Sequence, residues 1–163
     1  MKNFNNICLI VILFIFVACG DENKPPDDNN NNDNVKKMTA LINGNEWKAD
    51  SIYVASELGT HRKQLRIFGI KGLDSIELIL QFEPSDSMVP GTYNFSLSPE
   101  SYFIAVYLHA GSRDTASEGT VILSKVKEEY PEIAVGTYNF IIKNNQTTLY
   151  TITEGAFDSG NSK

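Results

Sequence analysis

The chain has 163 residues with a formal net charge of −6, and 42% of its residues are apolar, which is a globular composition. The excess of acidic residues and the lack of a Lys/Arg cluster exclude nucleic acid as a partner. Only two cysteines and two histidines are present. Because Cys8 and Cys19 are both close to the N-terminus, the rest of the chain has no thiol for a disulfide, a metal or a nucleophile.

The first 18 residues predict a secretory signal peptide. A single lysine precedes an unbroken apolar run over residues 7–18, whereas a helix needs about 20 apolar residues to cross a membrane. The run ends Phe16-Val17-Ala18-Cys19, which resembles the bacterial lipobox, where the cysteine marks cleavage and lipid attachment. We therefore expect acylation of Cys19 and a protein held on a membrane by its lipid anchor.

Residues 19–37 predict the lipidated cysteine followed by an Asp/Asn-rich tether. No aliphatic or aromatic side chain occurs between Cys19 and Val35, so this stretch has nothing to bury and is expected to be disordered. Asp21 and Glu22 resemble the signal that exports lipoproteins of the Bacteroidetes to the cell surface. The expected location is the outer membrane, with the protein facing the cell exterior.

Residues 38–163 predict a single all-β domain. Apolar side chains alternate with period two along residues 74–82 and 102–109, the pattern of strands with one buried face. The expected buried faces are Ile76, Leu78, Leu80 and Phe82 in the first, and Tyr102, Ile104, Val106 and Leu108 in the second. Short polar links exclude helical crossovers. The expected fold is an antiparallel β-sandwich or a small up-and-down barrel of about 8–10 strands.

The remaining predicted strands also show alternation or β-branched enrichment. They are residues 38–42, 46–55, 64–70, 91–97, 119–126, 134–142, 147–153 and 155–158. Asn43-Gly44, between the first two, predicts a hairpin because both residues tolerate positive φ. Residues 110–114 are predicted to be a loop.

A five-residue motif occurs twice in the domain. Gly91-Thr-Tyr-Asn-Phe95 recurs as Gly136-Thr-Tyr-Asn-Phe140, and aligning residues 75–96 with 120–141 gives seven identities in 22 positions without a gap. Each copy predicts a strand, a polar loop and a second strand that opens at a glycine suited to a bulge. The expected unit is one repeated hairpin, which is either a duplicated binding site or a pair of equivalent core-forming hairpins.

Several short motifs together resemble one protein family. They are the lipobox, the Asn-rich tether, and residues 38–49, 119–125, 136–140 and 152–157. In this combination the chain is similar to an uncharacterised family of Bacteroidetes lipoproteins. The resemblance implies an all-β surface or outer-membrane lipoprotein, and it provides no catalytic residue.

Residues suited to catalysis are sparse. His109, Ser112 and Asp114 form a nominal triad, but all three fall in one short loop, which gives poor preorganisation. With His61 and His109 as the only imidazoles, a zinc site would depend on carboxylates. The adjacent pair Glu128-Glu129 is interpreted as a solvated turn. We therefore expect no enzyme activity, metal or cofactor, and a hydrolase would need a site that no motif marks.

Aromatic residues favour binding over catalysis. Trp47 and Tyr53 are expected to share a face of the predicted strand 46–55, and Tyr107 lies on the second face of strand 102–109. Aromatic faces bind sugars or proteins, although core packing is the alternative interpretation. The expected function is a non-enzymatic module for an extracellular glycan or protein, and the alternative is a structural or assembly accessory of an outer-membrane complex. The oligomeric state is left open.

Four short segments resemble the Asp-Ser/Thr-aliphatic acceptor of O-glycosylation in the Bacteroidetes. Their acceptor residues are Ser51, Ser75, Ser87 and Thr115. Asp-Ser and Asp-Thr are also ordinary turn residues at the beginning of strands, so both interpretations stay open.

Overall fold

A computed structural model describes residues 36–58, 62–95, 103–129 and 132–160. The expected signal peptide, Cys19 and the tether up to residue 35 lie outside the described residues, as does His61. The described part forms eleven strands: β1 Lys37–Ile42, β2 Asn45–Lys48, β3 Ser51–Leu58, β4 Lys63–Lys71, β5 Asp74–Phe82, β6 Gly91–Asn94, β7 Phe103–His109, β8 Ser112–Thr115, β9 Glu118–Lys127, β10 Ile133–Asn144 and β11 Thr147–Asp158. No helix that could span a membrane occurs among these residues.

The strands form two antiparallel sheets that enclose the core. The six-stranded sheet has the order β2-β1-β11-β10-β9-β6, and the five-stranded sheet has the order β3-β4-β5-β7-β8. Aromatic rings meet across the interface: Phe82 and Tyr93 have centroids 5.4 Å apart, and Tyr107 and Tyr150 have centroids 5.0 Å apart. The prediction of an antiparallel all-β fold is confirmed. The sequence left open whether the sheet forms a sandwich or closes into a barrel. Two separate sheets that pack on one core form a sandwich.

The middle strand of the five-stranded sheet follows its sequence pattern. Ile76, Leu78 and Leu80 of β5 are fully buried, and Phe82 is nearly so. Each such side chain contributes roughly 1.5–3 kcal/mol when it leaves water. The buried face predicted for residues 74–82 is therefore confirmed.

The Asn43-Gly44 hairpin is also confirmed. The φ angles of Asn43 and Gly44 are 49° and 81°, as a two-residue turn of type I′ requires. The Asn43 side chain also makes a hydrogen bond that the sequence motif did not predict. Its Oδ1 accepts a hydrogen bond of 2.8 Å from the Thr151 N–H, so the turn is fastened to the neighbouring strand β11.

The predicted strand 46–55 is wrong, because the chain changes sheets within it. β2 ends at Lys48 in the six-stranded sheet, and β3 begins at Ser51 in the other sheet. Asp50 forms the corner: its N–H donates to the Ile70 carbonyl at 2.7 Å, and its Oδ2 accepts from the Gly72 N–H at 3.0 Å. The alternation of buried and exposed side chains continues through the corner because β2 and β3 each bury one face in the same core.

The inward face of β7 is the opposite of the one expected. Phe103, Ala105 and Tyr107 point into the core, and Ile104 and Leu108 lie on the outer side. Tyr102 lies outside the described residues. The pattern was misleading because both faces of this strand are apolar, so alternation alone could not say which face is inside.

Two further expectations on strands are corrected. The predicted loop at residues 110–114 is a two-residue turn, with φ angles of 48° at Ala110 and 84° at Gly111, followed by strand β8 from Ser112. The separate strands 147–153 and 155–158 are one strand, β11, in which the register shifts around Glu154, a residue with a φ of 50°. A local bulge therefore replaces the expected break.

The repeated motif does not form a repeated hairpin. The second copy is the β9–β10 hairpin, but β5 and β6 of the first copy belong to different sheets. Instead, the two motifs flank β9 from opposite sides. Tyr93 and Tyr138 both pair with Val121, and the other motif residues follow in the same register. The duplication thus supplies two equivalent neighbours to one shared strand.

Candidate functional site

The outer face of the five-stranded sheet combines aromatic, apolar and charged side chains. Directly paired residues of antiparallel strands point to the same side, so the register defines rows across the sheet. The middle row, from β3 to β8, is Tyr53, Phe68, Glu77, Val106 and Thr115. The row on one side is Ala55, Arg66, Ile79 and Ile104, and the row on the other is Ser51, Ile70, Ser75, Leu108 and Arg113.

Tyr53 is the exposed aromatic residue of this face. Its side chain is 61% exposed because β3 is an edge strand and provides a neighbour on one side only, Phe68 of β4. The two rings border a groove of about 220 Å³, which is also lined by Ala55, Glu57, Arg66 and Glu77. Aromatic and charged groups therefore line the same concavity.

Glu77 organises the charges of the outer face. It lies in the middle strand and is only 7% exposed. Its Oε1 accepts hydrogen bonds from Nε of Arg66, at 3.0 Å, and from Nη2 of the same guanidinium. Its Oε2 accepts from Nη2 of Arg113 at 3.3 Å. The hydrogen bond to Glu77 raises the pKa of Arg66 despite the opposing effect of burial, so this guanidinium stays charged.

Trp47 and Tyr107 lie in the core rather than on the surface. Their exposed fractions are 4% and 3%. The Trp47 ring fills the space above Gly69, where an added Cβ would lie 3.1 Å from it, and Tyr107 packs edge-to-face on Tyr150. The expected shared face of Trp47 and Tyr53 is wrong, because the two residues belong to different strands in different sheets. Of the three aromatic residues expected to contact a ligand, Tyr53 is the one accessible from solvent.

The nominal triad of His109, Ser112 and Asp114 is not assembled. His109 Nδ1 lies 2.9 Å from Asp74 Oδ1 and 3.2 Å from the Tyr107 hydroxyl. The Ser112 hydroxyl donates to Asp114 at 3.1 Å. Burial, with the nearby charge of Asp74, raises the pKa of Tyr107 to about 12, so its hydroxyl is a proton donor rather than a base. The cluster fastens the ends of β5 and β7.

A second, larger cavity lies beside the loop of residues 83–90. It measures about 770 Å³, and its lining residues are Phe82, Ser85, Asp86, Ser87, Val89, Thr92, Tyr93 and Asn94. The loop is tied to both sheets. Lys63 Nζ donates to the Asp86 carbonyl at 2.8 Å and to Glu128 at 2.9 Å, and Glu128 accepts from the Met88 N–H. Glu128 is thus a structural tie and not the solvated turn residue that was expected.

The possible O-glycosylation residues differ in accessibility. Ser87 and Thr115 are exposed, and Ser51 is half-buried. Ser75 is only 5% exposed because it lies in the middle strand between Ile70 and Leu108. In the described part of the chain, no group of three or more His, Cys, Asp or Glu side chains could hold a metal ion.

Fold and surface together define an all-β sandwich domain with a mixed aromatic and charged outer face. The chain belongs to the family described as Domain of unknown function (DUF6252), whose profile matches residues 34–160. No curated protein and no solved structure matches the chain. The family description assigns no activity, so function has to be argued from the site.

Proposed function

We propose that this protein is a surface lipoprotein of the Bacteroidetes whose sandwich is a non-enzymatic binding module for an extracellular glycan. The observation that carries the proposal is the groove beside Tyr53. The exposed Tyr53 ring, whose partner on the neighbouring strand is Phe68, provides a flat apolar surface for the face of a sugar. Glu57, Arg66 and Glu77 provide polar groups at its border. All these side chains are on strands, which position a site more rigidly than loops do.

The proposed anchor is the acylated Cys19, with residues 20–36 as a tether that lifts the domain off the outer membrane, since Lys37 already belongs to β1. The lipobox-like segment and the polar composition after it support this location. Replacing Cys19 with alanine is expected to release the chain from the membrane fraction or leave it unprocessed. Mass spectrometry of the membrane-associated protein is the direct measurement. An unmodified Cys19 in mature, membrane-bound protein contradicts the anchor.

The binding function is tested with a glycan array and the mature full-length chain. We expect a weak ligand whose affinity falls at least about fivefold in Tyr53→Ala, since loss of a stacked ring removes roughly 1–3 kcal/mol. Ile122→Ala is the matched control, because Ile122 is an exposed large side chain on the other sheet. A signal that survives Tyr53→Ala, or falls equally in both variants, contradicts the site.

A protein partner is the second candidate, in line with an accessory of an outer-membrane complex. It is favoured by the apolar half of the same face, where Ile79, Ile104 and Leu108 lie on the outer side of adjacent strands. Crosslinking in cells distinguishes the two functions. A clean glycan array together with a crosslinked outer-membrane protein supports the accessory. Turnover of ester, glycoside or peptide substrates that depends on His109 contradicts both.

O-glycosylation is proposed for the two exposed acceptor residues, Ser87 and Thr115. Their accessibility and the Asp residue preceding each support this assignment. Intact-mass measurement of the protein from its native host is expected to show added sugar, which is lost in the Ser87→Ala/Thr115→Ala double variant. A native mass equal to that of the bare polypeptide plus its lipid contradicts the proposal.

A further inference from the structure

We propose that the glycan bound in the Tyr53 groove is neutral, and that one of its hydroxyl groups bridges the side chains of Glu57 and Arg66. This inference rests on the proposed binding function and names the chemical class of the ligand at that same site. The evidence is the charge balance of the outer face and the distance between two oppositely charged groups that line the groove.

The ionised side chains of the outer face balance one another. The rows that the strand register defines contain two arginines and two glutamates: Arg66, Arg113, Glu57 and Glu77. Arg66 pairs with both glutamates, and Arg113 pairs with Glu77. A charged ligand would therefore add an uncompensated ion to a neutral set, and it would give up part of its hydration without gaining an unpaired partner.

Glu77 positions Arg66 but has little capacity left for a ligand. Its Oε1 accepts hydrogen bonds from Arg66, its Oε2 accepts from Arg113, and the residue is almost fully buried. The Arg66 guanidinium is thereby held at the wall of the groove through Nε and Nη2, which leaves Nη1 for other acceptors. The side chains of Glu57 and Arg66 are 54% and 39% exposed, so these two charged groups of the groove can reach a ligand.

The pair of Glu57 and Arg66 is spaced for a hydroxyl group. Oε2 of Glu57 lies 3.8 Å from Nη1 of Arg66, which is beyond direct hydrogen-bond distance. Because a hydroxyl group both donates and accepts, a sugar O–H can donate to the carboxylate while its oxygen accepts from the guanidinium. A ligand carboxylate at this position would be repelled by Glu57, and an ammonium group would be repelled by Arg66. The neutral hydroxyl is the group that both side chains attract.

The surroundings of this pair suit a neutral oligosaccharide. Ala55 separates Tyr53 from Glu57 along β3, and all three residues line the groove. Residues four apart on a strand are roughly 13 Å from each other, so a ligand that contacts both the Tyr53 ring and the pair is longer than one sugar ring. Gln64, the partner of Glu57 on β4, adds an uncharged carboxamide that can donate to and accept from further hydroxyl groups.

The test compares glycans that differ only in charge. The mature full-length chain is applied to an array of neutral oligosaccharides and their C6-oxidised and amino-sugar counterparts, and the strongest binder is then titrated calorimetrically beside its counterparts. We expect the neutral form to bind at least about fivefold more tightly than either charged form. Its affinity is expected to change less than about twofold between about 0.05 and 0.5 M NaCl, because salt screens interactions between ions.

Glu57→Lys is expected to reverse this preference. The change removes the acceptor of the hydroxyl group and places a second cation beside Arg66, so the C6-oxidised form becomes the tighter binder. The fold is expected to be kept, because Glu57 is an exposed residue near the end of an edge strand. Glu46→Lys is the matched control, since Glu46 is an exposed glutamate of β2 in the other sheet.

The outcomes separate this inference from the proposed function. Tyr53-dependent binding that is equal for the three forms, or tightest for a charged one, overturns the neutral ligand and leaves the glycan module standing. A neutral preference that Glu57→Lys leaves unchanged, or that Glu46→Lys alters to the same extent, overturns the role of the Glu57–Arg66 pair. An array without any bound glycan overturns both the neutral ligand and the glycan module.

Discussion

Several residues of this protein adopt a left-handed backbone conformation without being glycine. They are Asn43, Ala110, Asn145, Gln146 and Glu154. Asparagine tolerates this region, but for other L-residues it costs roughly 1–2 kcal/mol. Ala110 occupies the position in the β7–β8 turn that Asn43 occupies in the β1–β2 turn, with φ angles of 48° and 49°. The sheet pairing on both sides of the turn imposes that strain.

At the residue scale, Ala110→Asn is expected to stabilise the protein. The predicted gain in free energy of unfolding is about 0.5–1 kcal/mol, because asparagine relieves the strain at positive φ. Urea denaturation followed by fluorescence is the measurement. Asn43→Ala is the reciprocal variant and is expected to lose at least as much, since it also removes the bond to Thr151. An Ala110→Asn protein no more stable than the wild type contradicts the strain argument.

At the scale of elements, strand β9 pairs with both copies of the repeated motif, one on each side. Both copies pair with it in one register, yet their glycines have different surroundings. An added Cβ at Gly136 would lie 2.1 Å from the Ile122 carbonyl oxygen, because the register shifts between Val135 and Gly136. At Gly91 the closest approach is 3.7 Å, an ordinary contact with Tyr93.

The same substitution is therefore expected to have different effects in the two copies. Gly136→Ala is predicted to lower the free energy of unfolding by more than about 2 kcal/mol, since backbone of β9 would have to move. Gly91→Ala is predicted to change it by less than about 0.5 kcal/mol. Chemical denaturation of the two variants side by side measures the difference. Similar costs at both positions contradict the bulge as the reason for Gly136.

At the scale of the whole molecule, Glu128 joins the two sheets. It follows β9 of the six-stranded sheet, bonds to Lys63 at the beginning of β4 in the other sheet, and accepts from the Met88 N–H in the intervening loop. Burial raises the pKa of Glu128, but the hydrogen bonds from Lys63 and Met88 outweigh it, so the pKa lies below its ordinary value. The ionised carboxylate is therefore the form that stabilises the fold.

The pH dependence of this tie has a defined sign. A carboxyl whose pKa is lower in the folded state stabilises the protein above its unfolded pKa, and the contribution is lost as pH falls through the folded value. Glu128→Gln is expected to cost about 1 kcal/mol at pH 7 and nothing near pH 2. Thermal unfolding across this range measures it. Glu129→Gln, at the exposed neighbour, is the control, and a pH-independent cost in Glu128→Gln contradicts the charge-based account.

Sequence patterns were sufficient where neighbouring residues alone decide the structure. The buried face of β5 follows from strict alternation, and the Asn43-Gly44 turn follows from the tolerance of both residues for positive φ. Tyr53 was identified as a candidate contact, and it is exposed. The all-β class and the antiparallel pairing follow in the same way, from period-two patterns joined by short polar links.

Tertiary structure decided which side of each strand faces the core and which strands are neighbours. Alternation defines two faces but not the buried one, so β7 was inverted and Tyr107 was assigned to the surface. The corner at Asp50 and the placement of β6 beside β9 depend on hydrogen bonds between residues distant in sequence. The ion pairs of Glu77 with Arg66 and Arg113 could not be predicted from the sequence pattern either. Arg113 belongs to another strand and lies 36 residues from Glu77 along the chain.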